Sequence, residues 1–170
     1  MKVWVRNLTK DIDYPIELPI DERELNKVLN PNDEYIIIDS EILDVGEYDS
    51  IDELNDFLFA CKENGVSLED LEVLSATYFY NEVIEMVDNQ SYCIIDFDEE
   101  TALWYGTGGD FTNASHKGMC LFDVGYFNPF DFEMNEEIYD WIDWASVWTA
   151  AEIDGWRAVR VNGKGYLVHR

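Results

Sequence analysis

Most side chains of this sequence that could do chemistry are carboxylates. Residues 96–111, DFDEETALWYGTGGDF, contain five of them and no lysine or arginine. Clustered carboxylates can bind Ca²⁺, and a pair can act as the acid and base of glycoside hydrolysis. This stretch lacks the ligand spacing and the central glycine of an EF-hand loop. With 37 acidic residues in the chain, some pair always lies close to another, so proximity alone predicts no catalytic pair.

The other reactive side chains form no catalytic motif. His116 falls in a predicted loop and His169 near the end of the sequence, and neither has a nucleophile as an evident partner, so we expect both at the surface. Cys61, Cys93 and Cys120 have neither zinc-ligand nor CxxC spacing, which predicts reduced, mostly buried thiols. The sequence contains no phosphate-binding loop and no GxSxG motif. We therefore expect no enzyme, with no catalytic residue, no metal and no cofactor.

The net charge is the most unusual property of the chain. Thirty-seven acidic residues against 11 basic ones give −26 at pH 7. Between residues 28 and 156 there are 31 acidic residues and two basic ones, Lys62 and Lys117. Solubility needs a net charge of only about 2–8 on a small domain. Salt adaptation is an alternative, although the chain keeps many isoleucine, tyrosine, phenylalanine and tryptophan residues. The excess charge predicts a strongly cationic partner.

The composition predicts a folded protein. The chain is 47% hydrophobic and 15% aromatic, whereas disordered chains combine high charge with low hydrophobicity. It has no run of about 18 apolar residues, so we expect no membrane span. The first residues, MKVWVRNL, include no apolar segment of signal-peptide length. These observations predict a cytoplasmic protein.

Residues 1–49 predict a small sheet with one helix. Alternating apolar and polar residues predict a strand over 2–8, and a β-branched run predicts another over 34–42. Asp21 is a suitable N-cap for a helix between these strands. Two prolines predict an extended, turn-rich connection before that helix: Pro15 and Pro19.

Residues 50–95 predict a mainly helical middle subdomain. Ser50 begins a capping box, and Ser67, with Asp70, begins a second helix. An apolar stripe follows each of them, and a third helix is predicted over 81–89. A strand over 91–97 then leads into the last part of the chain.

Residues 96–170 predict a C-terminal α+β subdomain. After one or two helical turns, we expect a loop over 107–118 and a strand over 119–127. The longest helix is predicted over 135–154. Asn162 and Gly163 stand between two β-branched runs and predict a type I′ hairpin. The predicted fold class is α+β, with three small subdomains over 1–49, 50–95 and 96–170.

The acidic residues are numerous enough to be compared with a nucleic acid. Duplex DNA carries one negative charge per ~1.7 Å of axis, so 26 charges at that spacing would cover ~44 Å. Carboxylates in such an array would enter the cationic groove of a DNA-binding enzyme, and a core of aromatic residues would keep the array rigid. We assign these residues to the acidic face: Asp96, Asp98, Glu99, Glu100, Asp110, Glu136, Glu137, Asp140 and Asp143.

Three tryptophans of the predicted C-terminal helix have two interpretations. Trp141, Trp144 and Trp148 have helical spacing, which suits packing into the core of the chain. Large aromatic residues also anchor interfaces, so the same spacing suits a dimer contact. Both interpretations are open at this point.

Several stretches resemble the ArdA antirestriction proteins of plasmids, transposons and phages. The similarity is carried by VWVRNL, LPIDERELNKVL, NDEYIIIDSEI, YDSIDELNDF and the C-terminal IYDWIDWASVWTAAEIDGWRAVRVNGKGYLV. Order and spacing hold over most of the N-terminal third and about the last 35 residues. Residues 106–133 depart from the family pattern.

The resemblance implies an elongated homodimer of three small domains that mimics bent duplex DNA in the cytoplasm of a bacterial host. It implies binding to the DNA groove of type I restriction-modification enzymes, with no direct binding to nucleic acid. The antirestriction region falls on four acidic residues: Glu136, Glu137, Asp140 and Asp143. The dimer contact falls in the C-terminal domain, where Trp141, Trp144 and Trp148 are the candidates.

Three alternatives stand beside this expectation. Because residues 106–133 depart from the family, the target could equally be a Cas nuclease, which also holds nucleic acid in a cationic channel. An acidic hydrolase or a calcium-dependent binding module would show a bound ion or a pocket of convergent carboxylates with shifted pKa values. A mimic would instead spread its carboxylates over a convex face, and an acidic chaperone would bind any basic protein.

Overall fold

The computed structural model describes residues 1–97, 110–123 and 141–170. Contacts divide the chain into two compact units, Met1–Ser91 (unit 1) and Tyr92–Arg170 (unit 2). The described residues form six helices and six strands, with the strands in two three-stranded sheets. The predicted α+β class is confirmed, and the finer division into three subdomains stays a prediction.

Unit 1 begins with an antiparallel sheet. Its strands are β1 (Lys2–Asn7), β2 (Ile12–Glu17) and β3 (Tyr35–Ser40), in the order β2-β1-β3. Val3 and Val5 are fully buried on the inner face of β1, as their alternation predicts.

The predicted turn-rich connection at Pro15 is wrong, because this proline lies inside β2, opposite Trp4. Strand β2 is at the edge of the sheet, where a residue without an N–H costs no ladder hydrogen bond on the outer side.

Four helices complete unit 1, and the first three begin at the caps that the sequence predicts. The fourth, for which no cap was predicted, begins one residue before its predicted start at residue 81. Asp21 accepts a hydrogen bond from the backbone N–H of Arg23 at the start of α1 (Glu22–Val28). Ser50 and Ser67 cap the next two helices in the same way. These helices and the fourth are α2 (Ile51–Glu63), α3 (Leu68–Ser75) and α4 (Tyr80–Asp88).

Unit 2 has a second antiparallel sheet, β4 (Cys93–Phe97), β5 (Arg157–Val161) and β6 (Lys164–His169), in the order β4-β6-β5. Asn162 and Gly163 have φ angles of 50° and 85° between β5 and β6. Two consecutive positive φ angles are the signature of a type I′ turn, so the predicted hairpin is confirmed.

Helix α5 (Ala114–Asp123) corrects the predicted loop over 107–118 and strand over 119–127. A short apolar run such as MCLF does not distinguish a strand from a buried helix. Here packing decides: a Cβ atom on Gly118 would lie 2.2 Å from the backbone oxygen of Trp144. The backbone of α5 therefore lies directly against the start of α6 (Trp144–Asp154).

Helix α6 begins later than the helix predicted over 135–154. Asp143 is its N-cap, and Gly155, with φ 113°, ends it. Trp141 therefore lies before the helix, and residues 135–140 lie outside the described residues, as do the helical turns predicted over 98–106. No helix in the described part of the chain is long and apolar enough to cross a membrane.

The core of unit 2 forms between the two helices and the sheet. Its buried members are Leu121, Trp148, Ala151, Trp156 and Leu167. The half-buried ring of Phe111 packs against this cluster. The ring also lies so close to Gly165 that a Cβ atom at this position would be 2.5 Å from Phe111.

Candidate functional site

Three of the nine residues assigned to the acidic face are described, and all three are exposed: Asp96, Asp110 and Asp143. The other six lie outside the described residues: Asp98, Glu99, Glu100, Glu136, Glu137 and Asp140.

Each of these three aspartates is followed by an aromatic residue that packs inward. Phe97 and Trp144 are each 5% exposed, and Phe111 is half-buried. The rings of Phe97 and Phe111 meet edge to face, with centroids 5.3 Å apart. A carboxylate next to an anchored ring has its backbone held in place, so the charge has a defined position on the surface.

Hydrogen bonds orient two of the three carboxylates further. Asp110 Oδ1 accepts from Thr112 Oγ1 at 2.6 Å and from Thr112 N at 2.9 Å. Asp143 accepts from Ser146 Oγ at 2.7 Å and from Ser146 N at 3.2 Å. These donors stabilise the charged form and lower the pKa of both carboxyl groups. Both side chains are therefore firmly ionised at neutral pH.

The histidines differ from the prediction of two surface residues. His116 is only 1% exposed, and its Nδ1 accepts a hydrogen bond from the backbone N–H of Asp110 at 3.0 Å. His169 is half-buried, with its ring 5.2 Å from that of Trp156. His116 thus helps to hold the turn that carries Asp110. The prediction of a loop at this position gave no indication of this role.

The three cysteines are thiols that are not joined in disulfides. Cys61 is buried, and burial raises its pKa to about 11. Cys93 and Cys120 are half-buried. A thiol with a raised pKa is a poor nucleophile at neutral pH, so Cys61 is a core residue of α2.

A second acidic surface lies in unit 1, where the sequence analysis assigned no site residue. None of the 17 acidic residues between residues 28 and 91 is buried, and one basic residue, Lys62, accompanies them. Ten of them belong to α2, α3 and α4, and we call these the helical acids: Asp52, Glu53, Asp56, Glu63, Glu69, Asp70, Glu72, Glu82, Glu85 and Asp88. The excess of acidic residues between residues 28 and 156 includes this region and could have pointed to this surface.

Amphipathic spacing explains how α2 presents its charge. Leu54, Leu58 and Cys61 are buried on one side, while Asp52 and Asp56 are exposed. Residues four apart are separated by about 6 Å along a helix. This is shorter than the ~8 Å over which charges are screened at physiological ionic strength, so neighbouring carboxylates act together on a partner.

The ion pairs leave this surface negative. Three salt bridges are Arg6–Asp13, Lys10–Asp33 and Lys27–Glu24, and each joins residues outside α2, α3 and α4. In unit 2, Lys117 Nζ lies 4.7 Å from the centre of the Trp148 ring, which holds that cation against the core.

Unit 1 also contains a cleft of ≈ 440 Å³ beside the end of α1, which we call the tyrosine cleft. Two tyrosines line it, Tyr35 and Tyr48, and Tyr48 is 85% exposed. Leu25 and Ile51, both buried, contribute apolar lining. Three aspartates also line it: Asp33, Asp49 and Asp52.

The state of Asp33 bears on whether the tyrosine cleft is catalytic. Its Oδ2 accepts from Lys10 Nζ at 2.6 Å and from Asn7 Nδ2 at 2.8 Å, and these contacts lower its pKa. A catalytic acid needs a raised pKa so that it carries a proton near neutral pH. Asp33 is instead an ionised partner of Lys10 and does not have the raised pKa of a catalytic acid.

The three tryptophans divide between the core and the surface. Trp144 and Trp148 are 5% and 2% exposed, packed within unit 2, as the core interpretation predicts. Trp141 is 88% exposed. The dimer contact stays a prediction, and Trp141 is the member of the set that is accessible to a partner.

Across the described residues, no three His, Cys, Asp or Glu side chains are grouped so that they could hold a metal ion. No protein-family model and no curated protein matches this chain.

Proposed function

We propose that this chain is a non-catalytic inhibitor that mimics duplex DNA and occupies the DNA-binding groove of a type I restriction-modification enzyme. The observation that carries the proposal is that the acidic residues between 28 and 91 are exposed or half-buried, apart from the paired side chain of Asp33, against a single lysine in the same range. A surface of this kind attracts cationic grooves and repels nucleic acid.

The arrangement of charge supports an ordered mimic over a loose polyanion. Inward rings follow three described acids of unit 2, Asp96, Asp110 and Asp143, and helices of unit 1 carry the helical acids. A prearranged charge array pays less ordering entropy on binding than a disordered acidic tail does. The resemblance of the N-terminal and C-terminal stretches to ArdA proteins points to the same class, including a homodimer in which Trp141 is an exposed contact residue.

Binding to a purified type I restriction-modification enzyme tests the proposal. We expect a complex whose affinity falls at least about tenfold between 50 and 200 mM NaCl, because several charge contacts are screened together. Duplex DNA should compete with the protein for the enzyme, and the protein alone should not shift DNA in a gel. A complex that survives saturating DNA would contradict groove occupancy.

A Cas nuclease takes the place of the restriction enzyme in a parallel assay. If the protein bound the nuclease selectively and DNA displaced it, the proposal of DNA mimicry would stand. The proposed target would then be a Cas nuclease and not a restriction enzyme. Equal binding to unrelated basic proteins such as histones, removed by heparin, would identify an acidic chaperone and contradict the proposal.

Charge-neutralising variants test how the binding energy is distributed. Asp52→Asn, Asp56→Asn and Glu63→Gln, together with changes at Glu136, Glu137, Asp140 and Asp143, should each weaken inhibition about two- to fivefold. This is the range of exposed ion pairs, and the effects should add for residues well apart.

The matched controls are Asp52→Glu and Asp56→Glu, which keep the charge and should keep the inhibition. If one Asp→Asn change abolished activity by itself, a catalytic or metal site would be the better account.

A further inference from the structure

The tyrosine cleft combines a concave shape, an exposed aromatic ring and carboxylates. It is concave, and its volume of ≈ 440 Å³ lies within the ~300–1,000 Å³ of typical ligand pockets. One wall is Tyr48, a large aromatic side chain that is 85% exposed. An exposed ring beside an open cleft is available to contact a partner without any rearrangement of the core.

The charges at the tyrosine cleft favour a cation. Lys10 balances Asp33, while Asp49 and Asp52 are exposed at the cleft. Within the described part of the chain, no lysine or arginine lines it. The Oδ2 atom of Asp49 accepts from the backbone N–H of Gly46 at 2.8 Å, which fixes this carboxylate beside Tyr48 in the chain.

We propose that the tyrosine cleft binds an arginine side chain of the partner protein. The guanidinium would stack on the ring of Tyr48 and pair with Asp49 and Asp52, and the aliphatic stem would cover the apolar lining at Leu29 and Ile51. Arginine fits better than lysine because its planar, weakly hydrated cation stacks on rings and binds carboxylates with two N–H groups.

This inference rests on the proposed function for the identity of the partner, a protein with a cationic DNA groove. It adds a discrete contact to a surface that otherwise acts through spread charge. A side chain held in a cleft gives a fixed register, which diffuse electrostatics does not provide.

The test is an NMR titration of the ¹⁵N-labelled full chain with N-acetyl-arginine amide. N-acetyl-citrulline amide, which has the same shape without the charge, is the matched ligand. We expect amide shifts clustered at residues 33–35 and 48–52, saturating with arginine and absent with citrulline. Shifts spread evenly over the acidic surface would overturn the proposal.

Variants separate the cleft from general electrostatics. Tyr48→Ala and Asp52→Asn should each weaken arginine binding about threefold or more, and Tyr48→Phe should keep it. Two matched controls lie outside the cleft, Phe79→Ala for an exposed ring and Asp56→Asn for an exposed α2 carboxylate, and both should bind as the parent does. Equal losses in Asp52→Asn and Asp56→Asn would overturn the proposal.

The two proposals fail separately. The arginine titration uses no partner enzyme, so a positive result stands even where no restriction enzyme or Cas nuclease binds the protein. The opposite outcome is a complex with the enzyme that DNA displaces, whose affinity is unchanged by Tyr48→Ala and falls no more with Asp52→Asn than with Asp56→Asn. That result would support DNA mimicry and contradict the proposed arginine contact in the tyrosine cleft.

Discussion

Acidic residues followed by inward rings recur in unit 2. Asp96 precedes Phe97, Asp110 precedes Phe111 and Asp143 precedes Trp144, and in each pair the acid is exposed while the ring is packed. This pairing explains how a chain with so many negative charges can hold carboxylates at fixed positions on its surface. Burial of the ring stabilises the local backbone, and this backbone fixes the position of the neighbouring carboxylate.

Asp143 is the residue at which charge and helix structure are most directly coupled. Asp143→Ala removes the N-cap of α6 and should lower the Tm of unit 2 by roughly 4–8 °C at pH 7. The folded-state pKa of Asp143 is lowered, so its charge contributes stability above the ordinary carboxyl pKa, and this contribution is lost as the pH falls through the folded-state value. The Tm difference should therefore shrink below about pH 4.

Asp143→Ser is the control, because a serine caps the helix without titrating. Its Tm difference from the parent should be smaller than that of the alanine variant at pH 7. Thermal melts followed by circular dichroism at pH 7 and pH 3 measure both differences. An alanine variant as stable as the parent at pH 7 would contradict the assigned cap.

At the scale of elements, the contact between α5 and α6 holds unit 2 together. Gly118 allows it, since a Cβ there would lie 2.2 Å from the backbone oxygen of Trp144. Helix propensity and packing disagree about this position. Alanine is favoured over glycine by about 1 kcal/mol in a helix, but here the neighbour is backbone and cannot rotate away.

Gly118→Ala should therefore destabilise the protein by about 1–3 kcal/mol, the usual cost of overpacking. The measurement is urea unfolding followed by tryptophan fluorescence. Gly46→Ala is the matched control, because its Cβ would come nearest to the side chain of Asp49, at 3.1 Å, and not to a backbone atom. A Gly118→Ala variant more stable than the parent would mean that α5 and α6 are further apart than described.

The elements also show where sequence reasoning succeeds. The caps at Asp21, Ser50 and Ser67 and the Asn162-Gly163 turn were predicted because each is set by a hydrogen bond or a φ angle within a few residues. Helix α5 and strand β2 were missed because both depend on partners far along the chain: α5 on α6, and Pro15 on an edge position beside β1.

At the scale of the whole molecule, the net charge of −26 opposes folding through self-repulsion. Raising NaCl from 50 to 500 mM should therefore raise the Tm, because screening weakens the repulsion while the buried rings are unaffected. Thermal melts across this range provide the measurement. A Tm that falls or stays constant would show that the carboxylates are already compensated within the fold.

Calcium chloride at matched ionic strength separates screening from specific binding. If screening alone acts, the Tm should rise with both salts, and somewhat more with CaCl₂ because its cation is divalent. A large increase at micromolar Ca²⁺ would instead favour a calcium-dependent module over the proposed inhibitor.

The amino-acid sequence was enough to predict the α+β class, most helix starts, the terminal hairpin and the excess of negative charge, because composition and short-range hydrogen bonds govern all of them. The fold was needed to bury Trp144, Trp148 and His116, to expose Trp141 and to bring Tyr48, Asp52 and α1 around one cleft. These outcomes depend on contacts between residues far apart along the chain, and a spacing pattern shows which face a residue occupies but not what lies against that face.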